Sequence, residues 1–269
     1  MRYEVNGRAI EYFSEGEKQV GKPIVLSERD IDLTKNTAWH QQGYTVKEVF
    51  SSCDEYTRFQ EEARKLLVNR WRDAGLIIAH HFTLEKYHEA TTTQELHLSA
   101  IEQTKLLPVK EFPLGIELLE ERISSIIGEQ LRAHNPFDDQ RIFHFRVIRP
   151  ESGDNNPLHR DVWLEDYKDC INLYIPIAGS DEQSSLILVP GSHLWPDSKI
   201  EKTKHGAIIN KQRFNVPAVT NIFGPFEMIR PNPQPGEVLV FSPYLIHGGA
   251  VNLNPNKTRI SIEVRLWRK

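Results

Sequence analysis

Nine residues near the C-terminal end of the sequence run Arg259-Ile-Ser-Ile-Glu-Val-Arg-Leu-Trp267. Apolar and polar residues alternate strictly, which predicts a β-strand with one aliphatic and one polar face. The polar face carries Arg259, Ser261, Glu263 and Arg265. Two interpretations remain open at this point. The strand lies in a sheet with one face in water, or in a barrel whose polar face lines a ligand site while the aliphatic face packs on helices.

Four other stretches of the C-terminal half alternate with the same period and are predicted strands. They cover residues 141–149, 170–178, 185–189 and 237–241. In 170–178 the odd-numbered residues are aliphatic, and the even-numbered ones include Asn172 and Tyr174. In 141–149 the periodicity does not decide whether the side that carries Arg146 faces inward.

The N-terminal half has mainly the period of helices. We predict a hairpin turning at Asn6-Gly7, a helix over 54–73 capped by Asp54, a helix over 116–133, and further helix between 84 and 107. Segment 195–235 shows no clear elements, which predicts a long functional loop. The expected class is therefore α+β with a mainly β core. We expect one domain over 1–269, with a helical half (about 1–136) packed on one face of a β core (about 137–269).

Composition limits the possible functions. The chain has 269 residues, of which 39% are apolar and 26% charged, as in a globular protein. A net charge of −4 does not favour a nucleic-acid partner, and the apolar runs are too short to span a membrane. Two cysteines and the lack of a signal peptide predict a cytoplasmic protein. We expect a small-molecule partner, and the oligomeric state stays open.

One pattern has the spacing of metal ligands. His159-Arg160-Asp161 is the only H-x-D in the chain, although the sequence contains eleven histidines. Residues i and i+2 of a strand point the same way, so His159 and Asp161 can share one ion. His247 is the leading candidate for a third ligand, because it closely follows the predicted strand 237–241. Two histidines and one carboxylate form the facial triad of non-haem Fe(II) oxygenases.

A candidate anion site follows the triad. Arg259 lies twelve residues beyond His247, and Ser261 shares its face of the predicted strand. A guanidinium pairs bidentately with a carboxylate. Arg259 and Ser261 could therefore bind one end of a dicarboxylate.

Two more motifs complete the pattern, namely Pro190-Gly-Ser-His193 and His247-Gly-Gly-Ala-Val-Asn252. Together with the H-x-D and Arg-x-Ser motifs, they resemble the phytanoyl-CoA dioxygenase family of Fe(II)- and 2-oxoglutarate-dependent oxygenases, over residues 143–265. The resemblance implies a double-stranded β-helix of the jelly-roll or cupin type. It implies Fe(II) on the triad, with 2-oxoglutarate and O2 as co-substrates. It also implies that Arg259 and Ser261 hold the distal carboxylate of 2-oxoglutarate, and that Asn172 or Tyr174 contacts this molecule.

The activity implied is hydroxylation of an unactivated C–H bond of a small metabolite, with release of succinate and CO2. The carboxylate of Asp161 favours hydroxylation, since halogenases of this broad class leave that position to a halide. Two alternatives remain open: a Zn-dependent hydrolase or isomerase on the same ligands, and a barrel that binds a ligand without turnover. The candidates for substrate contact are Trp163, His193 and Arg146, although His193 could equally fix a loop.

Segment 197–213 carries a local excess of positive charge, with five basic and two acidic residues. One interpretation is a solvated surface loop. The other is a mobile lid that attracts an anionic substrate through residues such as Lys202, Lys204 and Lys211.

Overall fold

The structure of the chain is a computed structural model, which describes residues 1–29 and 31–269. The helices are α1 (Leu26–Arg29), α2 (Cys53–Asp73), α3 (Tyr87–Ala90), α4 (Gln94–Glu102) and α5 (Ile116–Ile127). The strands are β1 (Arg2–Val5), β2 (Arg8–Glu11), β3 (Ser14–Glu15), β4 (Lys18–Val20), β5 (Tyr44–Glu48), β6 (Leu107–Pro108), β7 (Leu131–Arg132), β8 (Ile142–Ile148), β9 (Cys170–Ala178), β10 (Ile200–Thr203), β11 (Ala207–Ile209), β12 (Gln212–Phe214), β13 (Val219–Ile222), β14 (Glu237–Phe241) and β15 (Arg259–Arg268). Short 3-10 helices cover Leu84–Lys86, Val109–Glu111, Asp161–Trp163, Glu165–Tyr167, Ser192–Leu194 and Asp197–Lys199.

The major sheet contains seven strands. Its order is β5-β14-β9-β15-β8-β6, with β7 paired to the end of β15, and its recorded pairings are antiparallel. Strand β15 lies between β9 and β8, and its register places Ser261 opposite both Pro176 and Arg146. The longest strand of the fold is thus held from both sides.

One face of the major sheet packs on the helices. The aliphatic residues of β15 and β9 lie in one core with Phe143 and Phe145 of β8 and with the inner faces of α2 and α5. Trp71 of α2 and Ile123 of α5 are fully buried in it. The barrel interpretation of the alternation is therefore correct, and Arg146 lies on the opposite, inner side of β8.

A second, less regular layer faces the major sheet. It is built from antiparallel bridges that pair His159 with His247 and Leu188 with both His247 and Ile229. A separate apolar core, containing Leu158, Leu188 and Leu239 among others, fills the space beside it. The two layers form the jelly-roll core that the sequence analysis expected, with helices on one face. The predicted strand 185–189 contributes bridges only, at Leu188.

Segment 195–235 is not the structureless loop that its composition suggested. It contains β10 to β13, which form two small sheets with the N-terminal strands, in the orders β13-β10-β4 and β12-β11-β3. The N-terminal half is likewise less helical than predicted, because β5 joins the edge of the major sheet beside β14. These partners lie far apart in sequence, so local periodicity could not reveal the pairings.

Two helix boundaries also differ from the prediction. The N-cap of α2 is Ser52, whose side chain accepts from the backbone N–H of Glu55, and not Asp54. Helix α5 ends at Ile127 because Gly128 takes a left-handed conformation (φ +81°), so Leu131 belongs to β7. The hairpin β1–β2 turns at Asn6 and Gly7, both with positive φ, as predicted.

Within residues 1–29 and 31–269, no helix is both long and apolar enough to cross a membrane. Cys53 and Cys170 are free thiols, the first exposed and the second buried.

The two faces of β15 should differ sharply in what they contribute to stability. Ile262 and Ser261 are both fully buried, but only Ile262 packs in the main core. We expect Ile262→Ala to lower the free energy of unfolding by about 2–5 kcal/mol. Ser261→Ala should cost less than about 1 kcal/mol, because its hydroxyl has no hydrogen-bond partner among the described residues. Urea unfolding of the metal-free variants measures both values, and equal costs would contradict the two-faced description of the strand.

Candidate active site

The two histidines of the candidate triad are joined through their backbones. The N–H of His159 donates to the carbonyl of His247 over 2.8 Å, and the N–H of His247 donates back over 2.9 Å. Their ring centroids lie 4.4 Å apart. The H-x-D segment and His247 are therefore brought together by one bridge of the second layer.

The hydrogen bonds of the two rings select the nitrogen that is left free. Nδ1 of His159 lies 2.8 Å from the carbonyl of Pro157, and Nδ1 of His247 lies 3.0 Å from that of Leu245. A carbonyl only accepts, so each Nδ1 carries a proton, and in the neutral form of each ring the lone pair lies on Nε2. The two Nε2 atoms lie 3.3 and 3.7 Å from Oδ1 of Asp161. All three side chains are buried, and their ligand atoms lie within 4.8 Å of one another.

The protonation states suit a cation. Burial, with repulsion from His159 as a second cause, lowers the pKa of His247 to about 4, so this ring is neutral at pH 7. Burial alone would raise the pKa of the Asp161 carboxyl. The positive charges around it, that of Arg265 first, outweigh this effect and hold the pKa well below its ordinary value. A carboxylate and neutral imidazoles are the forms that bind metal ions.

The second oxygen of Asp161 is occupied by neighbouring side chains. Arg265 donates to Oδ2 from Nη2 (2.8 Å) and Nε (3.3 Å), and Asn172 donates from Nδ2 (2.9 Å). The guanidinium of Arg265 also lies 4.2 Å from the ring centre of Tyr167. Sequence reasoning placed Arg265 on the polar face but missed this contact, since Asp161 lies 104 residues away.

Gly248 and Asn252, which follow His247 in the motif, each have a structural role. Gly248 has φ +102°, and a Cβ there would lie 2.4 Å from the carbonyl oxygen of Pro157, so the bend beside His159 requires glycine. The side chain of Asn252 donates to the carbonyls of Ile148 and Lys257 and closes the turn before β15.

The Pro-Gly-Ser segment also supports the site. Oγ of Ser192 accepts from the backbone N–H of Ile246 over 2.8 Å and so holds the residue before His247. Gly191 is left-handed, with φ +71°. His193 lies outside the cavity of the triad, with Nε2 2.7 Å from the carbonyl of His40.

Arg259 and Ser261 contain buried polar atoms that are not hydrogen-bonded to the described residues. Nε and Nη1 of Arg259 and Oγ of Ser261 are buried and make no hydrogen bond within the described part of the chain. The guanidinium of Arg259 lies 5.6 Å from the ring centre of Tyr174. The hydroxyl of Tyr174 itself is bonded to Ser180 over 2.7 Å. Buried donors without partners are costly, so an anionic ligand at this place could satisfy them.

One cavity of about 180 Å³ is lined by the three triad residues and by Arg259. Its lining includes the three triad residues with Asp154, His144, Arg146, Trp163, Val216, Arg259, Glu263 and Arg265. Trp163 is 40% exposed. Nε of Arg146 donates to Glu263 over 2.7 Å. Burial opposes ionisation of Glu263, but the charges of Arg146 and Arg265 hold its pKa at about 2. Glu263 is therefore ionised at pH 7, and it forms an ion pair with Arg146 in the wall of the cavity.

Two of the five basic residues of segment 197–213 form ion pairs with carboxylates. Nζ of Lys202 lies 2.9 Å from Asp197, and Nζ of Lys204 lies 3.2 Å from Glu17. Lys202 is part of β10 and Lys211 follows β11. The predicted attraction of an anionic substrate to this segment stays a prediction.

Several solved structures resemble this chain. The first is AviO1 from Streptomyces viridochromogenes Tue57, at 17% identity and TM-score 0.48, covering 85% of this chain and 91% of the other. EctD from S. alaskensis, solved with 2-oxoglutarate and 5-hydroxyectoine, is 16% identical at TM-score 0.49, with 96% and 86% covered. SnoN, an epimerase from nogalamycin biosynthesis solved with Fe3+ and alpha ketoglutarate, is 13% identical at TM-score 0.48, with 86% and 80% covered. These likenesses are too distant to support a substrate.

No curated protein sequence matches the chain significantly. The sequence model of the phytanoyl-CoA dioxygenase (PhyH) family, by contrast, matches residues 39–261, which include the triad, Arg259 and Ser261. The chain therefore belongs to the phytanoyl-CoA dioxygenase family and is a 2-oxoglutarate-dependent oxygenase that uses Fe(II).

Proposed function

We propose that this oxygenase hydroxylates an unactivated C–H bond of a small polar metabolite, with His159, Asp161 and His247 as the iron ligands and Arg259 and Ser261 as the anchor of 2-oxoglutarate. The observation that carries the proposal is that one cavity is lined both by candidate metal ligands and by a candidate anion-binding residue. The triad shares the cavity with Arg259, a buried arginine whose Nε and Nη1 make no hydrogen bond to any described residue.

The three ligand residues fit a divalent iron ion. The tautomers of both histidines leave Nε2 with a lone pair, and Asp161 contributes Oδ1 while Arg265 and Asn172 hold Oδ2. Partners of this kind fix the orientation of a ligating carboxylate. Two histidines and one carboxylate leave positions on the ion for the co-substrates.

Arg259 and Ser261 fit the far end of a dicarboxylate. Two guanidinium nitrogens, Nε and Nη1, have no hydrogen-bond partner among the described residues, and the hydroxyl of Ser261 can donate a further hydrogen bond. The ring of Tyr174 packs beside the guanidinium, whereas its hydroxyl is engaged with Ser180. The role of Tyr174 would thus be to position Arg259, and that of Asn172 to position Asp161.

Bound Fe(II) supplies the activation of O2, and the overall reaction converts substrate, 2-oxoglutarate and O2 into alcohol, succinate and CO2. The chain binds and orients the reactants and limits the access of water. The carboxylate of Asp161 would fill the ligand position that halogenases of this broad class leave to a halide, which supports hydroxylation. A zinc hydrolase has no use for Arg259, and a barrel without turnover does not need the complete triad.

The cavity wall supports a small polar substrate. Arg146 and Glu263 offer one charge of each sign, and Trp163 adds a partly exposed aromatic surface. An ion pair with some exposure can hydrogen-bond both donors and acceptors of a ligand. The ion pairs of Lys202 with Asp197 and of Lys204 with Glu17 reduce the positive charge that segment 197–213 could offer to an anionic substrate.

The triad is tested by turnover of 2-oxoglutarate. We expect the wild type to release succinate in the presence of Fe(II) and O2, and to do so faster when its substrate is added. His159→Ala, Asp161→Ala and His247→Ala should each fold but lose Fe(II) binding and succinate release. His81→Ala, at an exposed histidine, is the matched control and should keep both. Turnover with Zn(II) in place of Fe(II), or an active triad variant, would contradict the proposal.

The anchor is tested by the affinity for 2-oxoglutarate. Arg259→Ala removes a charge-assisted contact of about 1.5–3 kcal/mol, so we expect about ten- to hundredfold weaker binding. Arg259→Lys should recover only part of this loss, since an ammonium lacks the planar fork. Ser261→Ala should weaken binding by about tenfold or less. Anaerobic calorimetry on the metal-loaded protein measures these values, and an unchanged affinity in Arg259→Ala would rule out the role.

The Arg265–Asp161 pair is tested by stability and by metal affinity. Arg265→Gln leaves a buried carboxylate without its cation, which should cost the metal-free protein about 3–5 kcal/mol. The low folded pKa of Asp161 stabilises the native state above the ordinary pKa of an aspartate, so the penalty should be largest near pH 7 and shrink in acid.

Adding Asp161→Asn to Arg265→Gln should remove most of this penalty, as a double-mutant cycle would show. Arg265→Gln alone should also bind Fe(II) about 10- to 100-fold more weakly, as expected for a partner of a metal ligand. Additive stability effects together with normal iron affinity would contradict the assigned contact.

A further inference from the structure

A second group of metal-ligating side chains lies apart from the triad. Asp32, His40 and His193 each present one ligand atom, and these atoms lie within 4.8 Å of one another. Asp32 and His40 belong to the segment between α1 and β5, whereas His193 belongs to the Pro-Gly-Ser-His motif. Asp32 is 4% exposed, His193 is 1% exposed, and His40 is partly exposed. The proposed reaction uses none of the three.

One ring nitrogen of His193 has no hydrogen-bond partner among the described residues. Its Nε2 lies 2.7 Å from the carbonyl of His40, so Nε2 carries the proton and Nδ1 keeps a lone pair. Nδ1 is buried and has no hydrogen-bond partner within the described part of the chain. Gly43 is the residue that leaves it room, since a Cβ there would lie 2.5 Å from Nδ1.

The other two residues are oriented by their neighbours. Oδ1 of Asp32 accepts from the N–H of Thr34 over 3.0 Å, and Oδ2 accepts from Ser242 over 3.2 Å. These bonds leave lone pairs on both carboxylate oxygens. Nδ1 of His40 is bonded to the hydroxyl of Thr34 over 2.9 Å, so its Nε2 is the nitrogen available to a ligand.

We propose that Asp32, His40 and His193 form a second, separate binding site for a divalent transition-metal ion such as Zn(II). Two imidazoles and a carboxylate are a common donor set for zinc, with water as a fourth ligand. Zinc–ligand distances near 2.1 Å place two ligand atoms of one ion at most about 4 Å apart. Separations within 4.8 Å therefore need only small side-chain movements.

The site would join two parts of the chain that are distant in sequence. One is the segment from Asp32 to His40, and the other is the loop that ends at His193. Ser192 in that loop holds the N–H of Ile246, next to the iron ligand His247. The nearby guanidinium of Arg160 is already paired with Asp197 at 3.2 Å, so the cluster is not opposed by an uncompensated positive charge. The bound ion thus acts as a cross-link of the fold.

The experiment counts zinc in a protein whose active-site histidines have been removed. The full-length His159→Ala/His247→Ala variant is stripped of metal, dialysed against excess Zn(II), and analysed by mass spectrometry of the metal. We expect one zinc per chain and a zinc-dependent rise of the melting temperature, because the ion binds the folded state. Neither result depends on the proposed oxygenase activity.

Three further substitutions in that background localise the zinc. Asp32→Asn nearly keeps the shape of the side chain and removes its charge, His40→Ala changes a partly exposed residue, and His193→Ala removes the buried ligand. Each should weaken zinc binding at least tenfold and abolish the rise in melting temperature, whereas His81→Ala should change neither. Failure of the active-site variant to bind zinc, retention of zinc by Asp32→Asn and His40→Ala, or an equal loss in His81→Ala would overturn the proposal.

Discussion

Strand β15 is buried on both faces, and the rest of the structure depends on this constraint. Its even-numbered residues face an apolar core, and its odd-numbered residues face the polar cavity on the other side of the sheet. Ile260, Ile262, Val264 and Leu266 enter the helix-packed core, while Arg259, Glu263 and Arg265 line the cavity. Because the side-chain period of a strand is two, a slip of one residue would put guanidinium groups into the apolar core. The pairing with β8 and β9 therefore fixes the positions of the proposed anchor and of the cation that faces Asp161.

The cavity is organised before any ligand arrives. Backbone carbonyls select the tautomers of His159 and His247, and Arg265 with Asn172 occupies one oxygen of Asp161. The atoms left for a metal ion are Nε2 of His159, Nε2 of His247 and Oδ1 of Asp161, which lie close together. The cost of this arrangement is a set of buried polar atoms, at Arg259 and Ser261, that no described residue satisfies and that a dicarboxylate would satisfy. The same reasoning applies to Nδ1 of His193, a buried atom without a hydrogen-bond partner among the described residues, which lies in the cluster with Asp32 and His40.

Much of this could be predicted from the sequence, because the informative patterns were local. Strict alternation in 259–267 identified both faces of β15, and the H-x-D spacing with His247 identified the group that the structure brings together. The contact between Arg265 and Asp161 could not be predicted, since periodicity assigns a face but not the partner across a cavity. Segment 195–235 was misjudged because its strands are three or four residues long and pair with Ser14–Glu15 and Lys18–Val20, far away in the chain. Whether Arg146 or Phe145 faced inward was decided only by packing.

The most direct test of the account is a crystal structure of the protein grown without oxygen in the presence of Fe(II) and 2-oxoglutarate. The account predicts one iron bound by Nε2 of His159, Oδ1 of Asp161 and Nε2 of His247, with the far carboxylate of 2-oxoglutarate on Arg259 and Ser261. Oδ2 of Asp161 should keep its bonds to Arg265 and Asn172. Iron bound elsewhere, or 2-oxoglutarate bound without contact to Arg259, would contradict it.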